Sequence, residues 1–444
     1  MLIYYQSYRM EMVGMGVALQ KQLVTILREE VKPALGCTEP GAVALAVTKA
    51  REFLNEPVEN CKILVSPNIY KNGMGVGIPG AGRTGLMIAA CMGLVSGNSS
   101  AGLNVLESVT GKDTSAAEAL MDSGKVSIAV HDTQEKVYVE AFVRGKNHWT
   151  KVVTRGRHDQ IVEVIRDASS LYYKDIKIEN MADSSDVLCS LEIEQLIKEI
   201  EQLPEQDIRF LLDGLLMNIK ISEEGLKNKL GAGVGHSLRQ AQRDGILADD
   251  VITKAIIMTS AASDARMSGL KMPVMSSNGS GNHGLTAILP IAAYNEKFPQ
   301  SDEKLSKALA ISHLVTAYIK NHIGRLSPVC GCGVAASTGA AAAVAWLMGL
   351  NYNQIEGTML NMIGNLSGMI CDGAKAGCAY KLASAAGAAI QSAISAKYGA
   401  IIPSCNGIIG KNVESSIKNL GIVSNQGMVT TDKVIIEIMD GCNS

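Results

Sequence analysis

The chain has 444 residues, a length that predicts two or three domains rather than one core. Hydrophobic residues make up 47% and charged residues 19%, with 4% aromatics and 44 glycines, so the core is built from small and aliphatic side chains on closely packed helices. A net charge of −2 without a basic stripe argues against nucleic acid or an anionic membrane as partner.

The opening "MLIYYQSYRMEMVGMGV" lacks the basic, apolar and small-residue order of a secretory leader, and the first helix is expected to enter near Val17. "VALQKQLVTILREEVKPAL" has helical spacing and stops near Pro33. "GCTEPGAVALAVTKAREFL" predicts a loop feeding a second helix, with Glu39 and Pro40 suited to its first turn. "ENCKILVSPNIYKNG" and "MGVGIPGAGRTG" predict a strand and a glycine-rich loop. The stretch "KVSIAVHDTQEKVYVEAFVRGKNHWTKVVTRGRHDQIVEVIRD" alternates in the manner of consecutive antiparallel strands.

Beyond roughly residue 190 the period becomes helical. "LEIEQLIKEIEQLP" and "IRFLLDGLLMNIKISEEGLKNKL" are amphipathic helices, followed by alanine-rich helical segments broken by glycine loops. "KVIIEIMDGCNS" predicts a short closing strand, and "KIENMADSSDVLCSLEI" is the expected linker. The fold class expected is α+β. An α/β domain with antiparallel strands spans residues 1–185, and a mostly helical domain spans 186–444. No apolar run reaches membrane-spanning length, so a soluble, cytoplasmic protein is expected, with a homo-oligomer open.

The chain carries ten cysteines, and a reducing cytoplasm argues against a disulfide framework. Cys37, Cys330, Cys332, Cys371 and Cys378 stand in glycine-rich contexts. Cys371 and Cys378 lie seven residues apart in "GMICDGAKAGCAYKLA", downstream of the pair in "SPVCGCGVAASTGAAAA". Core thiols, an iron–sulfur cluster and another metal all remain open on spacing alone. Cys37 precedes a helix start, where the helix dipole favours a thiolate able to act as nucleophile or base; an inert helix-entry thiol is the alternative. The glycine loop "GVGIPGAGRTG" lacks the endings of phosphate-binding fingerprints and suits the lining of a small-molecule pocket. "MSSNGSGNHG" offers Ser276, Ser277, Asn278, Ser280, Asn282 and His283 between apolar flanks, as donors to a carboxylate or amino group or as a solvated loop.

Together, "GCTEPGAVALA", "VSPNIYKNGMGVGIPG", "SDARMSGLKMPVMSSNGSGNHG", "SPVCGCGVAASTGAAAA" and "CDGAKAGCAYKLA" resemble the L-cysteine desulfidase branch of the iron–sulfur serine dehydratase α-chain superfamily. The resemblance implies an oxygen-sensitive [4Fe–4S] cluster on three cysteines, with no pyridoxal phosphate. It implies a lyase that converts L-cysteine to pyruvate, ammonia and sulfide, or L-serine to pyruvate and ammonia. Carried over by motif, Cys371 and Cys378 match two cluster ligands. The third falls in "VCGCG", where Cys330 is preferred and Cys332 is the alternative. Cys37 matches the proposed base. Gly156-Arg157-His158 departs from the family's Gly-Ser-His, and no catalytic role is inferred for His158. A zinc-binding or cluster-free amino-acid-binding protein is the competing class.

Overall fold

The computed structural model describes residues 16, 18–175 and 187–443. Val17 and the greater part of the expected linker lie outside the described residues. Helix α1 (residues 18–30) ends shortly before Pro33, whose ring cannot continue a helix. After β1 (Pro33–Ala34), Cys37 stands in extended backbone as N-cap of α2 (Thr38–Leu54). The small residues of α2 follow from its surroundings, because every residue from Glu39 to Thr48 is buried.

The N-terminal part continues with β2 (Asn60–Val65), α3 (Pro67–Gly73), α4 (Leu86–Ser96), α5 (Gly111–Asp122) and β3 (Val126–Val130). Then come β4 (Tyr138–Arg144), β5 (Trp149–Arg155), β6 (Ile161–Arg166) and β7 (Ser169–Tyr173). They form one six-stranded sheet in the order β3-β2-β4-β5-β6-β7. Strands β4 to β7 make the antiparallel series that the alternation predicts. β3 departs from it and pairs with β2 in parallel, since α4 and α5 carry the chain back before it enters the sheet. The inward face of β4 is Val139, Ala141 and Val143, packed beneath α2. Thr150 Oγ1 on β5 donates to the Ala50 carbonyl at 2.8 Å and fixes that packing.

The C-terminal part is mostly helical, as expected. It comprises α6 (Ile193–Glu201), α7 (Leu211–Lys227), α8 (Val234–Arg243), α9 (Val251–Met267), β8 (Val274–Met275), α10 (Gly281–Lys297) and α11 (Asp302–Ile323). α12 (Ser337–Leu347), α13 (Tyr352–Leu366), α14 (Cys378–Lys397), α15 (Val413–Ile422) and α16 (Thr431–Asn443) follow. α9 is the central element, buried without a break from Ile257 to Met267 and packed against α7 and α14. Among the described residues no helix is long and apolar enough to cross a membrane.

The last segment corrects an expectation. "KVIIEIMDGCNS" was expected to be a strand because β-branched residues crowd it, yet it belongs to α16. The helix wins through tertiary contacts that need a four-residue spacing. Asp432, Ile436 and Asp440 share one face: Asp432 meets Asn68 and Lys71 of α3, Ile436 is buried, and Asp440 accepts from Tyr70.

Lys71, only 1% exposed, donates to Asp432 at 2.6 Å and to the Cys371 carbonyl at 3.0 Å. Asp432→Ala strands that ammonium beside one neutral carbonyl and is expected to lower unfolding free energy by about 3 kcal/mol in denaturant titrations. Lys71→Met, which removes the buried charge itself, is expected to cost less.

Candidate active site

Three distant stretches meet through short local devices. β1 pairs with β8, Pro33 opposite Met275 and Ala34 opposite Val274, which brings the segment before Cys37 against the segment before the polar loop. Asn218, fully buried on α7, locks β8 by accepting from the Met275 N–H at 2.8 Å and donating to its carbonyl at 3.2 Å. The polar loop then turns back into α10.

Most of the loop's side chains build the loop. Ser276 Oγ donates to the Lys32 carbonyl at 2.6 Å. Ser277 Oγ meets His313 Nδ1 and the Asn278 amide, each at 2.9 Å. Asn278 adopts a left-handed φ of 49° and donates its N–H to the Glu30 carbonyl. Ser280 is the N-cap of α10 but makes no side-chain cap bond. His283 Nδ1 lies 3.2 Å from the Ser277 carbonyl, which can only accept, so Nδ1 carries the proton and Nε2 is left as an acceptor. Burial, with Lys320 nearby, pushes the His283 pKa down to about 3, so the ring is neutral.

Asn282 reaches Cys37 through a residue that sequence reasoning passed over. Arg266, at the C-terminal end of α9, donates Nη1 to Asn282 Oδ1 at 3.0 Å. Its Nη2 donates to the Gly36 carbonyl at 2.9 Å and to Cys37 Sγ at 3.0 Å. The expected thiolate at Cys37 meets opposition. Burial pushes its pKa up to about 11, against the pull of Arg266, so the thiol is the resting form. A cavity of about 30 Å³ adjoins Cys37, lined by Ile78, Pro79, Leu103 and Leu106 among others; it has room for a water.

The remaining cysteines sit where two loops cross. Val329 and Ile370 form an antiparallel bridge, Cys330 N–H donates to the Met369 carbonyl at 2.8 Å, and Cys371 N–H to the Pro328 carbonyl at 2.6 Å. Cys330 caps a π-helical turn over Gly331–Ala336, and its Sγ accepts the Gly333 N–H at 3.3 Å. Interaction with Cys332, aided by the Gly333 N–H, pulls the Cys330 pKa down to about 6 against burial, and the same interaction together with burial pushes that of Cys332 up. Cys378 opens α14, and its thiol and that of Cys371 feel the charge of Cys330. A Cβ on Gly331 would collide with His283 Nε2, so this glycine lets the polar loop press against the Cys-Gly-Cys turn. Gly373, at φ 92°, likewise lets the second cysteine loop abut the Lys71 carbonyl.

Cations surround the thiols. Lys71 and Lys381 donate to the carbonyls flanking this crossing, Cys371 and Ile370, and Lys381 and Lys375 both grip Asp372. Burial works against the Asp372 charge, yet those two ammonium groups hold its carboxyl below the usual range. Lys320 is buried beside Gly331, its pKa pushed down to about 8 by burial, with Cys371 and Cys332 opposing. Nine described cysteines are free thiols, and among the described residues no three acidic, histidine or cysteine side chains close around a single metal ion. A cubane joins each thiolate to a different iron, so its ligand sulfurs need not meet at one point. Soft thiols, backbone N–H donors and nearby ammonium groups fit such a group and do not resemble an oxygen-ligand site.

A UPF0597 protein of Clostridioides difficile is 56% identical over 422 residues, covering 94% of this chain and 99% of that protein. A UPF0597 protein of Alkaliphilus oremlandii is 50% identical over 422 residues, covering 95% and 98%. A third, from Alkaliphilus metalliredigens, is 48% identical over 424 residues, covering 95% of each. The family model described as serine dehydratase alpha chain matches residues 100–437, the span that contains the polar loop and the crossing cysteine loops. On that match and those relatives, the chain belongs to the serine dehydratase alpha chain family.

Proposed function

We propose that this protein is a [4Fe–4S]-dependent β-elimination lyase that converts L-cysteine to pyruvate, ammonia and sulfide. The observation that carries the reading is the contact of the thiol crossing with the polar loop at Gly331 and His283, while the same loop holds Arg266 against Cys37. The family match supports an elimination of the serine dehydratase type. The blocks around Cys37 and the polar loop support a thiol rather than a hydroxyl as leaving group.

Cys330, Cys371 and Cys378 would hold the cluster, which when bound supplies a Lewis-acidic iron with a position free of protein ligands. Cys330 is preferred over Cys332 because its sulfur accepts the Gly333 N–H, a bond that favours a thiolate there. Ser280 and His283 are the loop residues left to face substrate, since Ser276, Ser277 and Asn278 hold the loop together and Asn282 holds Arg266. Cys37 takes the Cα proton, and Arg266 fixes its sulfur and favours the thiolate that this requires. Loss of the Cα proton and of HS⁻ leaves aminoacrylate, which tautomerises and hydrolyses in water to pyruvate and ammonia.

Protein purified under argon is expected to carry about four irons per chain. Cys330→Ser, Cys371→Ser and Cys378→Ser are each expected to lose most of that iron, while Cys332→Ser keeps it. Retention by Cys330→Ser with loss by Cys332→Ser would exchange the two roles.

Cys37→Ser is expected to keep its iron and lose about a hundred- to ten-thousand-fold in turnover. The raised thiol pKa gives a sign for pH as well. The thiolate is scarce at neutral pH and grows about tenfold per pH unit, so kcat/KM rises with pH toward about 11. A flat profile through pH 7–9 would place the base elsewhere.

Sulfide release from L-cysteine against pyruvate release from L-serine decides the leaving group. Faster L-cysteine turnover is expected; activity confined to L-serine would make the protein a serine dehydratase.

A further inference from the structure

Near Cys37 lie a buried carboxylate bonded only to neutral donors and an amide oxygen with no hydrogen-bond partner among the described residues. Glu39, in the first turn of α2, is 8% exposed. Its Oε1 accepts from the Asn72 amide at 3.1 Å and its Oε2 from Thr38 Oγ1 at 3.1 Å, both neutral donors. Among the described residues no ammonium or guanidinium pairs with it. Lys71 is committed to Asp432 and the Cys371 carbonyl, Arg266 to Cys37, Gly36 and Asn282, and Arg325 to Glu30. His158 also stands within reach of the Glu39 charge, but burial, opposed by Glu39, keeps its imidazole below the ordinary pKa and neutral. A buried carboxylate without a counter-charge is costly.

Asn72 adds a second, independent vacancy. It is also 8% exposed, and while its amide N–H serves Glu39, its Oδ1 is buried without any hydrogen-bond partner. Such orphaned atoms are rare in folded proteins and call for an explanation. A carboxylate and an amide oxygen side by side are acceptors; what satisfies both is a small cation that donates several hydrogen bonds.

Their position gives the cation a purpose. Glu39 follows Cys37 by two residues and raises its pKa by its charge. Asn72 follows Lys71, whose carbonyl abuts Gly373 in the second cysteine loop. The pair thus joins the residue two places after the candidate base to the neighbour of a residue that touches the second cysteine loop.

We infer that Glu39 and Asn72 hold the α-ammonium group of the amino-acid substrate, through Glu39 Oε1 and Asn72 Oδ1. This rests on the elimination reading above and names the residues that select an amine there. With the ammonium fixed at one end, the Cα proton is presented to Cys37, whereas a hydroxy acid, with one neutral O–H, serves at most one of the two acceptors and supplies no charge. An inorganic monovalent cation has the same charge without the N–H donors and is the rival occupant.

Equilibrium binding to the iron-loaded protein under argon tests the inference without turnover. L-alanine, which has no leaving group, serves as the amine probe and L-lactate as its hydroxy counterpart. Wild type is expected to bind L-alanine about ten- to a hundredfold more tightly than L-lactate. Glu39→Gln and, separately, Asn72→Ser are expected to erase that preference while leaving L-lactate binding and iron content unchanged. Equal binding of the two probes by wild type, or equal weakening of both in the variants, would overturn it. Displacement of bound alanine by potassium chloride but not by choline chloride would assign the acceptors to an inorganic cation instead, and also overturn it. The outcomes stay separable from the elimination reading. Glu39-dependent alanine binding without pyruvate release from either substrate would sink the lyase and keep the clamp; pyruvate release with no amine preference would do the reverse.

Discussion

The buried guanidinium of Arg266 is the interaction on which the candidate site depends. A charge at 6% exposure needs hydrogen-bond partners; its two terminal nitrogens draw them from two other elements, while Nε has none among the described residues. The Gly36 carbonyl and Cys37 Sγ come from the entry to α2, Asn282 from the start of α10, and the arginine itself from the end of α9. α9 is buried without a break from Ile257 to Met267, so the anchor stands on a well-packed helix. Gly281 must lack a side chain, because a Cβ there would overlap the guanidinium. The two residues that pair β1 with β8 then need only hold the backbone in register, while Arg266 sets where the sulfur stands.

Cys37 shows two elementary effects in competition. A helix N-terminus and an arginine both favour a thiolate, and together they are the usual recipe for a reactive cysteine. Here burial outweighs them, and the neighbouring Glu39 charge adds to it. The sequence displays the helix start and the glutamate, but burial is a property of the packed chain. A thiolate with a high pKa is a strong base once ionised, so in the proposed elimination the burial that makes it scarce would make it effective on a weakly acidic Cα–H.

The parts of the fold that read well from sequence are those governed by local period. α2, α7 and the antiparallel series β4 to β7 follow apolar spacing, and α2 begins where the Cys37, Glu39 and Pro40 pattern puts it. The site read unevenly. The polar loop and the cysteine loops stand out as unusual composition, yet composition cannot tell a hydroxyl that binds a ligand from one that braces its own loop. Ser276 and Ser277 brace. Arg266, Asn72 and Lys320 gave no signal, since each sits in an ordinary helical stretch and gains its importance from what folds against it. A lone arginine in "SDARMSG" or an asparagine in "YKNG" becomes notable only when it is buried and its partners are counted. The C-terminal segment misled for the same reason, because its β-branched residues suit a strand and its docking on α3 is nonlocal.

The electrostatics of the thiol crossing point the same way as its shape. Placing several ammonium groups in a poorly solvated pocket is unfavourable in isolation, and the Lys320 amine pays for it with a pKa of about 8. What offsets that cost is negative charge close by. Cys371, Cys332 and Cys330 pull the Lys320 pKa back up, and Lys71 and Lys381 pull those of Cys371 and Cys378 down. Thiols and amines therefore stabilise each other's charged forms, and each needs the other ionised. Lys71 and Lys381 also have carboxylate partners, Asp432 and Asp372, while Lys320 donates to the neutral Arg325 carbonyl. On the proposed reading, in which the thiols are ligands that have lost their protons, Lys320 gains its counter-charge from them. That is a physical reason, separate from family membership, for reading the Cys-Gly-Cys turn and its partner loop as a site built to hold thiolates.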